Sequence, residues 1–136
     1  MFLLDTNVVS ELRRPKPHGA VLAWLRQAPP EHLHLSAVTV GEIQDGIEAT
    51  RQRDESKAKE IEHWLDTVEM SYEIIPMNGR VFRRWAQLRF HNPNAALEDA
   101  MIAATALVHG MTVVTRNTKD FKSLGVKLLD PFRHVG

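Results

Sequence analysis

Short apolar runs alternate along the chain with longer amphipathic segments. Residues 2–4 form a buried strand that ends at Asp5. Further strands are predicted at residues 32–35, 73–76, 111–115 and 126–129. Since strands that alternate with helices pair in parallel, the pattern predicts an α/β fold in which helices flank a mostly parallel central sheet.

The predicted helices have recognisable ends and apolar faces. Ser36 can cap a helix that runs to about residue 50, and Asn78 can cap another. Residues 96–109 form a strongly apolar helix that ends at Gly110, a favourable residue type after a helix. Residues 51–60 are charged with alternating sign and indicate a solvated helix start. Inward positions are expected at Ala58, Ile61, Trp64, Leu65, Val68, Val81, Phe82, Trp85 and Leu88.

Three acids stand at one predicted edge of the sheet. Asp5 follows the first strand, Glu42 lies early in the helix after the second strand, and Asp99 begins the apolar helix before the fourth strand. Ligands of parallel sheets bind beyond the carboxyl ends of the strands, and the three acids are expected at these ends. Carboxylate oxygens there would suit Mg²⁺ or Mn²⁺, which could activate a water and stabilise a phosphodiester transition state.

Each acid also has a structural interpretation. Asp5 can cap a helix, Glu42 follows Thr39 at capping-box spacing, and Asp99 can gain stability from the helix dipole. Two carboxylates about 4 Å apart, however, repel by roughly 4 kcal/mol at an effective dielectric near 20. A fold that gathers all three is therefore expected to place a cation between them.

Composition limits the function classes. The chain has 136 residues, 17 basic and 17 acidic side chains and no cysteine. These values predict a single domain over residues 1–136 without a basic nucleic-acid arm, and they exclude disulfide scaffolds and thiolate zinc sites. No apolar run approaches the roughly 18 residues of a membrane span, and the first residues lack the basic start of a signal peptide. A cytoplasmic protein is expected.

Four motifs follow one another along the chain: FLLDTN at 2–7, SAVTVGEI at 36–43, EDAMIAATA at 98–106 and VVTRNTKDF at 113–121. In order and spacing they resemble the PIN-domain ribonucleases, in particular the VapC and FitB toxins of bacterial type II toxin–antitoxin systems. The similarity extends over essentially the whole chain. It implies a PIN-like three-layer sandwich, an acidic pocket that binds Mg²⁺ or Mn²⁺, and hydrolysis of RNA by a metal-activated water.

The resemblance also implies roles for individual residues. Asp5, Glu42 and Asp99 match the family's first three acids and are the expected catalytic metal ligands. Asn117 stands where some members carry a fourth acid, and Asp120 is the nearest acidic substitute. The resemblance therefore does not fix whether the site binds one metal ion or two. The residues expected to orient the acids through hydrogen bonds are Thr6, Asn7 and Thr115.

Basic residues form two groups. Arg116, with Lys119 beside it, follows the fourth strand next to the expected pocket and is the candidate for phosphate contact. The other group, on the helix after Asn78, can bind RNA or simply cover an exposed helix face; it comprises Arg80, Arg83, Arg84 and Arg89. His32 and His34 are expected at the surface, and the three tryptophans are expected in the core or an interface.

By resemblance, the partners are an RNA substrate and a small VapB-like antitoxin whose C-terminal segment covers the pocket. A homodimer is expected, with DNA contacted only through the antitoxin. Two other functions are considered: an inactive PIN-like module that binds RNA or protein, and a metal-dependent phosphatase. Asn7 argues against the phosphatase, because a phosphoaspartate-type enzyme would need a second aspartate at that position.

Overall fold

A five-stranded, wholly parallel sheet forms the centre of the computed structural model, which describes residues 1–136. The strand order is β3-β2-β1-β4-β5, so the first strand lies in the middle. This agrees with the α/β class predicted from the alternation of strands and helices. The strands are β1 (Phe2–Leu4), β2 (Leu33–Ser36), β3 (Glu73–Ile75), β4 (Thr112–Val114) and β5 (Leu128–Leu129).

Seven α-helices flank the sheet, and no helix is long and apolar enough to cross a membrane. Ser36 and Asn78 cap their helices as expected, since their side chains accept the backbone N–H of Val38 and Val81. The helices are α1 (Thr6–Glu11), α2 (Gly19–Gln27), α3 (Ala37–Arg51), α4 (Glu55–Ser71), α5 (Gly79–His91), α6 (Leu97–His109) and α7 (Thr118–Phe121).

Alternating strand residues divide the hydrophobic core into two layers. Leu4 and Val114 face α1 to α4, whereas Leu3 and Val113 face α5 to α7, and all four are fully buried. The cause is the two-residue period of an extended strand, which sends consecutive side chains to opposite faces. The sheet is therefore covered on both sides, and its edges are where polar groups can gather.

Chain direction brings the carboxyl ends of β1 and β4 together. β1 pairs with β2 on one side and β4 on the other, so the connections leave β1 in opposite directions. The backbone N–H of Asp5 donates to the carbonyl of Val114 over 2.9 Å, which continues the pairing one residue past the strand. Such a reversal of strand order opens a crevice at the carboxyl ends, and Asp5 and Thr115 stand there.

Several local features differ from the expectations drawn from the sequence. α1 and α7 have six and four residues, too short to produce a helical periodicity. The charged segment is divided, because α3 ends at Arg51 and α4 begins at Glu55. Phe82 is 42% exposed rather than inward, and His34 is buried within β2 rather than at the surface.

Gly110, which ends α6, and Gly79, which begins α5, give a test of the backbone. Gly110 has a φ of +66°, whereas Gly79 begins α5 with ordinary φ, and a Cβ meets nothing within 4 Å at either position. Gly110→Ala should lower the free energy of unfolding by about 1 kcal/mol because alanine is strained at positive φ. Gly79→Ala should be neutral or raise it by up to about 0.5 kcal/mol. Urea unfolding of both variants measures this, and equal losses would contradict it.

Candidate functional site

Asp5 is the most constrained acid of the site. One carboxylate oxygen accepts the backbone N–H of Thr6 over 2.8 Å, as a helix cap does. The other accepts the Thr115 hydroxyl at 2.7 Å and the Asn7 amide at 3.1 Å. The side chain is only 6% exposed, and burial raises its pKa although these hydrogen bonds act in the opposite direction. Asp5 is thus both a helix cap and a fixed, partly desolvated carboxylate.

Glu42 is held by a residue from a different helix. The Thr6 hydroxyl donates to Oε1 of Glu42 over 2.7 Å and lies 3.2 Å from the Thr39 hydroxyl. Burial raises the pKa of Glu42, and the negative charges of Asp5 and Glu98 raise it further. The capping-box interpretation is wrong, because Ser36 caps this helix and Thr39 is fully buried inside it.

Asp99 stands in the first turn of α6 and forms no hydrogen bond or salt bridge with another side chain. Its pKa is raised to about 6, first by partial burial and then by the charges of nearby acids. The helix dipole alone would favour the charged form, so repulsion and desolvation outweigh it here. The contributing acids are Asp5, Asp120, Glu42 and Glu98.

These acids form what we call the acid cluster: Asp5, Glu42, Glu98, Asp99 and Asp120. No three acidic or histidine side chains in the structure are close enough together to bind one metal ion jointly. The cluster still fits Mg²⁺ or Mn²⁺ chemically, because its donors are carboxylate oxygens. Mg²⁺ commonly uses one or two carboxylates and retains several waters, so joint ligation by three side chains is not required.

Asn117 and Asp120 occupy different positions around the short α7. Asn117 precedes the helix without a side-chain capping bond, and its backbone N–H donates to the Thr115 hydroxyl at 3.0 Å. Asp120 lies within the first turn of α7 and does not cap the helix. Its negative charge helps raise the pKa of Asp5 and Asp99. Of the two residues, Asp120 is therefore the one that adds charge to the cluster.

A groove of about 590 Å³ opens beside Asp99 and Asp120. Its other wall comes from residues 91–96, which join α5 to α6, and from Ser123. Sequence reasoning missed this wall. The available signal was the polar segment HNPN at 91–94 directly before the helix that carries Asp99.

The two basic groups lie in different places. Arg80, Arg83 and Arg84 line a cavity with Leu107 and Val108, in the last turn of α6. Asp99 is in the first turn of that helix, about 12 Å away along its axis at 1.5 Å per residue. Arg116, by contrast, is next to Thr115, and its backbone N–H donates to the Asn7 side chain over 3.2 Å. Lys119 is exposed within α7.

Comparison with protein families and curated proteins gives consistent matches. The PIN domain family model matches residues 2–127. Toxin FitB of Neisseria gonorrhoeae is 37% identical, over 97% of this chain and 99% of FitB. VapC ribonuclease Y4jK of Sinorhizobium fredii is 33% identical, over 97% of this chain and 98% of the relative.

Solved structures give the same result. The crystal structure of FitAcB from Neisseria gonorrhoeae superposes with a TM-score of 0.87 at 35% identity and covers 98% of this chain and 99% of that one. A toxin–antitoxin complex from Klebsiella pneumoniae gives a TM-score of 0.72 at 26% identity, with 99% and 100% coverage. The parallel sheet and its flanking helices are therefore the fold that the sequence predicted.

The raised pKa of Asp99 predicts a pH-dependent effect of Asp99→Asn on stability in metal-free buffer. The folded-state pKa of about 6 exceeds the ordinary 3.8, so the unfolded chain loses its proton first as pH rises. Wild type should therefore lose stability relative to the variant between about pH 4 and 6. We expect wild type to lose about 1 kcal/mol of unfolding free energy relative to the variant over this range. The value is kept small because solvent screens a half-exposed group.

Urea unfolding with EDTA at several pH values measures this difference. Asp66→Asn, which removes an exposed acid on α4, is the matched control and should follow the wild-type profile. A difference between wild type and Asp99→Asn that does not grow with pH would contradict the prediction.

Proposed function

Because the chain belongs to the PIN-domain family, we propose that it is a metal-dependent endoribonuclease and the toxin of a VapBC-type toxin–antitoxin pair. The observation that carries the proposal is the acid cluster at the crevice beside β1 and β4. Burial raises the pKa values of Asp5, Glu42 and Asp99, the charges of neighbouring acids raise them further, and no salt bridge joins these carboxylates to a cationic side chain. Relatives named as VapC ribonuclease and Toxin FitB cover nearly the whole chain.

We propose that Asp5, Glu42 and Asp99 hold Mg²⁺ or Mn²⁺, one or two of them directly and the rest through waters that the ion retains, and that Asp120 supplements them. A bound ion of this kind would activate water and stabilise the charge that builds up on the phosphodiester. Thr115 and Asn7 fix one oxygen of Asp5, and Thr6 fixes one oxygen of Glu42. Such hydrogen bonds keep carboxylates oriented in spite of their mutual repulsion.

Asp99 differs from Asp5 and Glu42 because its carboxylate makes no hydrogen bond within the protein. Its pKa is raised to about 6 without metal, and a bound divalent cation would lower it, so the carboxylate would be ionised when the metal is present. We expect this carboxylate, which no hydrogen bond holds, to contribute to metal binding and to accept a proton from the attacking water.

The proposal includes partners. A small VapB-like antitoxin would cover the acid cluster and contact operator DNA, which the toxin itself would not touch. The similar toxin–antitoxin complex from Klebsiella pneumoniae supports the pairing with an antitoxin. We also propose a homodimer and a location in the bacterial cytoplasm, where the RNA substrate is available.

Two other activities are separable by assay. A phosphatase would hydrolyse p-nitrophenyl phosphate, and an inactive binding module would bind RNA without cutting it. The contacts of Asn7 weigh against the phosphatase: its amide donates to Asp5 and Thr115, and its oxygen accepts from Arg116. Asn7 is therefore fully engaged in fixing the site and has no acidic proton to donate.

We expect the purified protein to cleave RNA with Mg²⁺ or Mn²⁺ and to lose this activity in EDTA. The reason is that carboxylate oxygens favour these ions. Gel analysis of a labelled single-stranded RNA measures cleavage, and re-addition of the metal should restore it. Undiminished cleavage in EDTA by a preparation free of contaminating nuclease would contradict the metal requirement.

Asp99→Asn should reduce cleavage by about 10²-fold or more, because a metal ligand and proton acceptor is replaced by a neutral amide of similar size. Mg²⁺ should raise the melting temperature of wild type but raise that of the variant much less, since a ligand stabilises only the state that binds it.

Asp66→Asn is again the matched control, and it should retain both cleavage and the Mg²⁺-dependent rise in melting temperature. An Asp99→Asn protein that is equally active and equally stabilised by Mg²⁺ would show that Asp99 is only a helix-end residue.

A further inference from the structure

The guanidinium of Arg116 lies on an aromatic ring instead of on a carboxylate. Its central carbon is 4.5 Å from the centre of the Phe132 ring. Arg116 is exposed and forms no salt bridge, although it follows directly after Thr115, which bonds to Asp5. An arginine beside several carboxylates would ordinarily pair with one of them. The backbone of Arg116 thus lies at the strand end that holds Asp5, while its head group is exposed and unpaired on the Phe132 ring.

Phe132 is itself fixed from several sides. It belongs to the 3-10 turn Pro131–Arg133, and its backbone N–H donates to the Asp130 side chain over 2.9 Å. The His18 ring meets Phe132 edge-on, with ring centres 5.2 Å apart. His18 in turn caps α2 by accepting the Ala20 backbone N–H through Nδ1. The ring below Arg116 is therefore held in place by two separate parts of the chain.

The loop before His18 carries two further unpaired cations. Arg13 and Lys16 are exposed, form no salt bridge and lie in the loop that leads to His18. Arg13 also lines a groove with Glu42, so the loop reaches the acid cluster from its other side. Arg14 differs because it pairs with the buried Glu11. Two exposed and unpaired arginines, Arg13 and Arg116, therefore belong to segments that adjoin the acid cluster.

From these contacts we propose that Phe132, supported by His18, positions Arg116 as a subsite for single-stranded RNA next to the acid cluster. This inference rests on the proposed ribonuclease function. The guanidinium offers five donors to a phosphate, and its outer plane can carry an unstacked base. Arg116 contacts the RNA, whereas Phe132 and His18 are positioning residues that reduce the ordering needed on binding.

The test begins with binding of a fluorescent single-stranded RNA in EDTA, where cleavage is prevented, at several salt concentrations. Phe132→Leu should weaken binding about fivefold with an unchanged salt slope, because all charges remain. Arg116→Ala should weaken binding and reduce the slope by about 0.7, the value for one phosphate contact on a single strand. Phe132→Tyr, which keeps the ring, should restore wild-type binding.

A double-variant comparison separates positioning from a general structural effect. In the Arg116→Ala background, Phe132→Leu should weaken binding no further, since the group it positions is absent. His18→Asn keeps a helix-capping group, removes the ring, and should give a smaller loss than Phe132→Leu. Phe90→Leu, which removes an exposed aromatic ring on α5, should bind like wild type.

Cleavage kinetics complete the test. With Mg²⁺, Phe132→Leu should raise KM about fivefold and leave kcat within about twofold, and its Mg²⁺-dependent rise in melting temperature should match wild type. An equal loss from Phe132→Leu with and without Arg116, or no loss at all, would overturn the subsite. If the variants change RNA binding as expected but the wild-type protein never cleaves RNA, the ribonuclease function would be overturned and the subsite would stand. Absence of any RNA binding would overturn both.

Discussion

Burial of the Asp5 carboxylate at the junction of β1 and α1 is the constraint on which the site depends. Water is largely excluded there, so the protein replaces it with three donors from two parts of the chain: the Thr6 backbone, the Asn7 amide and the Thr115 hydroxyl. The same groups then organise their neighbours. Thr6 also holds Glu42, and Asn7 also holds the backbone of Arg116.

Repulsion within the acid cluster is the energetic consequence of this arrangement. Each of Asp5, Glu42 and Asp99 has a raised pKa, for which burial is the largest cause. No arginine or lysine lowers these values by pairing with the carboxylates. The folded chain therefore carries unfavourable charge that a divalent ion could relieve, which links metal binding to stability as well as to activity.

The net charge of the chain is zero, but acidic and basic side chains around the site remain separate and do not pair. The acids converge at the strand ends, whereas Arg116 and Arg13, in segments that adjoin them, form no salt bridge. If Arg116 paired with the cluster, each would neutralise the other. By stacking on Phe132, the guanidinium remains available for a second, negatively charged molecule. This division suits a reaction in which a metal ion and a polyanion must meet at one place.

The sequence by itself determined the features that arise from local geometry. The consecutive apolar residues Leu3 and Leu4 implied a strand buried on both faces, and Ser36, Asn78 and Gly110 marked helix ends that the structure confirms. It also placed Asp5 and Thr115 at the ends of parallel strands. These predictions succeed because hydrophobic period, capping and glycine conformation depend on residues only a few positions apart.

Only the tertiary structure decided which distant side chains meet. Thr6 bonds to Glu42 across 36 residues and replaces the Thr39 partner that local spacing suggested. Asp120, rather than Asn117, adds its charge to the cluster, and Phe132 lies below Arg116. Such contacts are set by strand order, register and the angles at which helices cross the sheet. The periodicity of the sequence does not predict strand order, register or crossing angle, because each depends on packing between elements far apart in the chain.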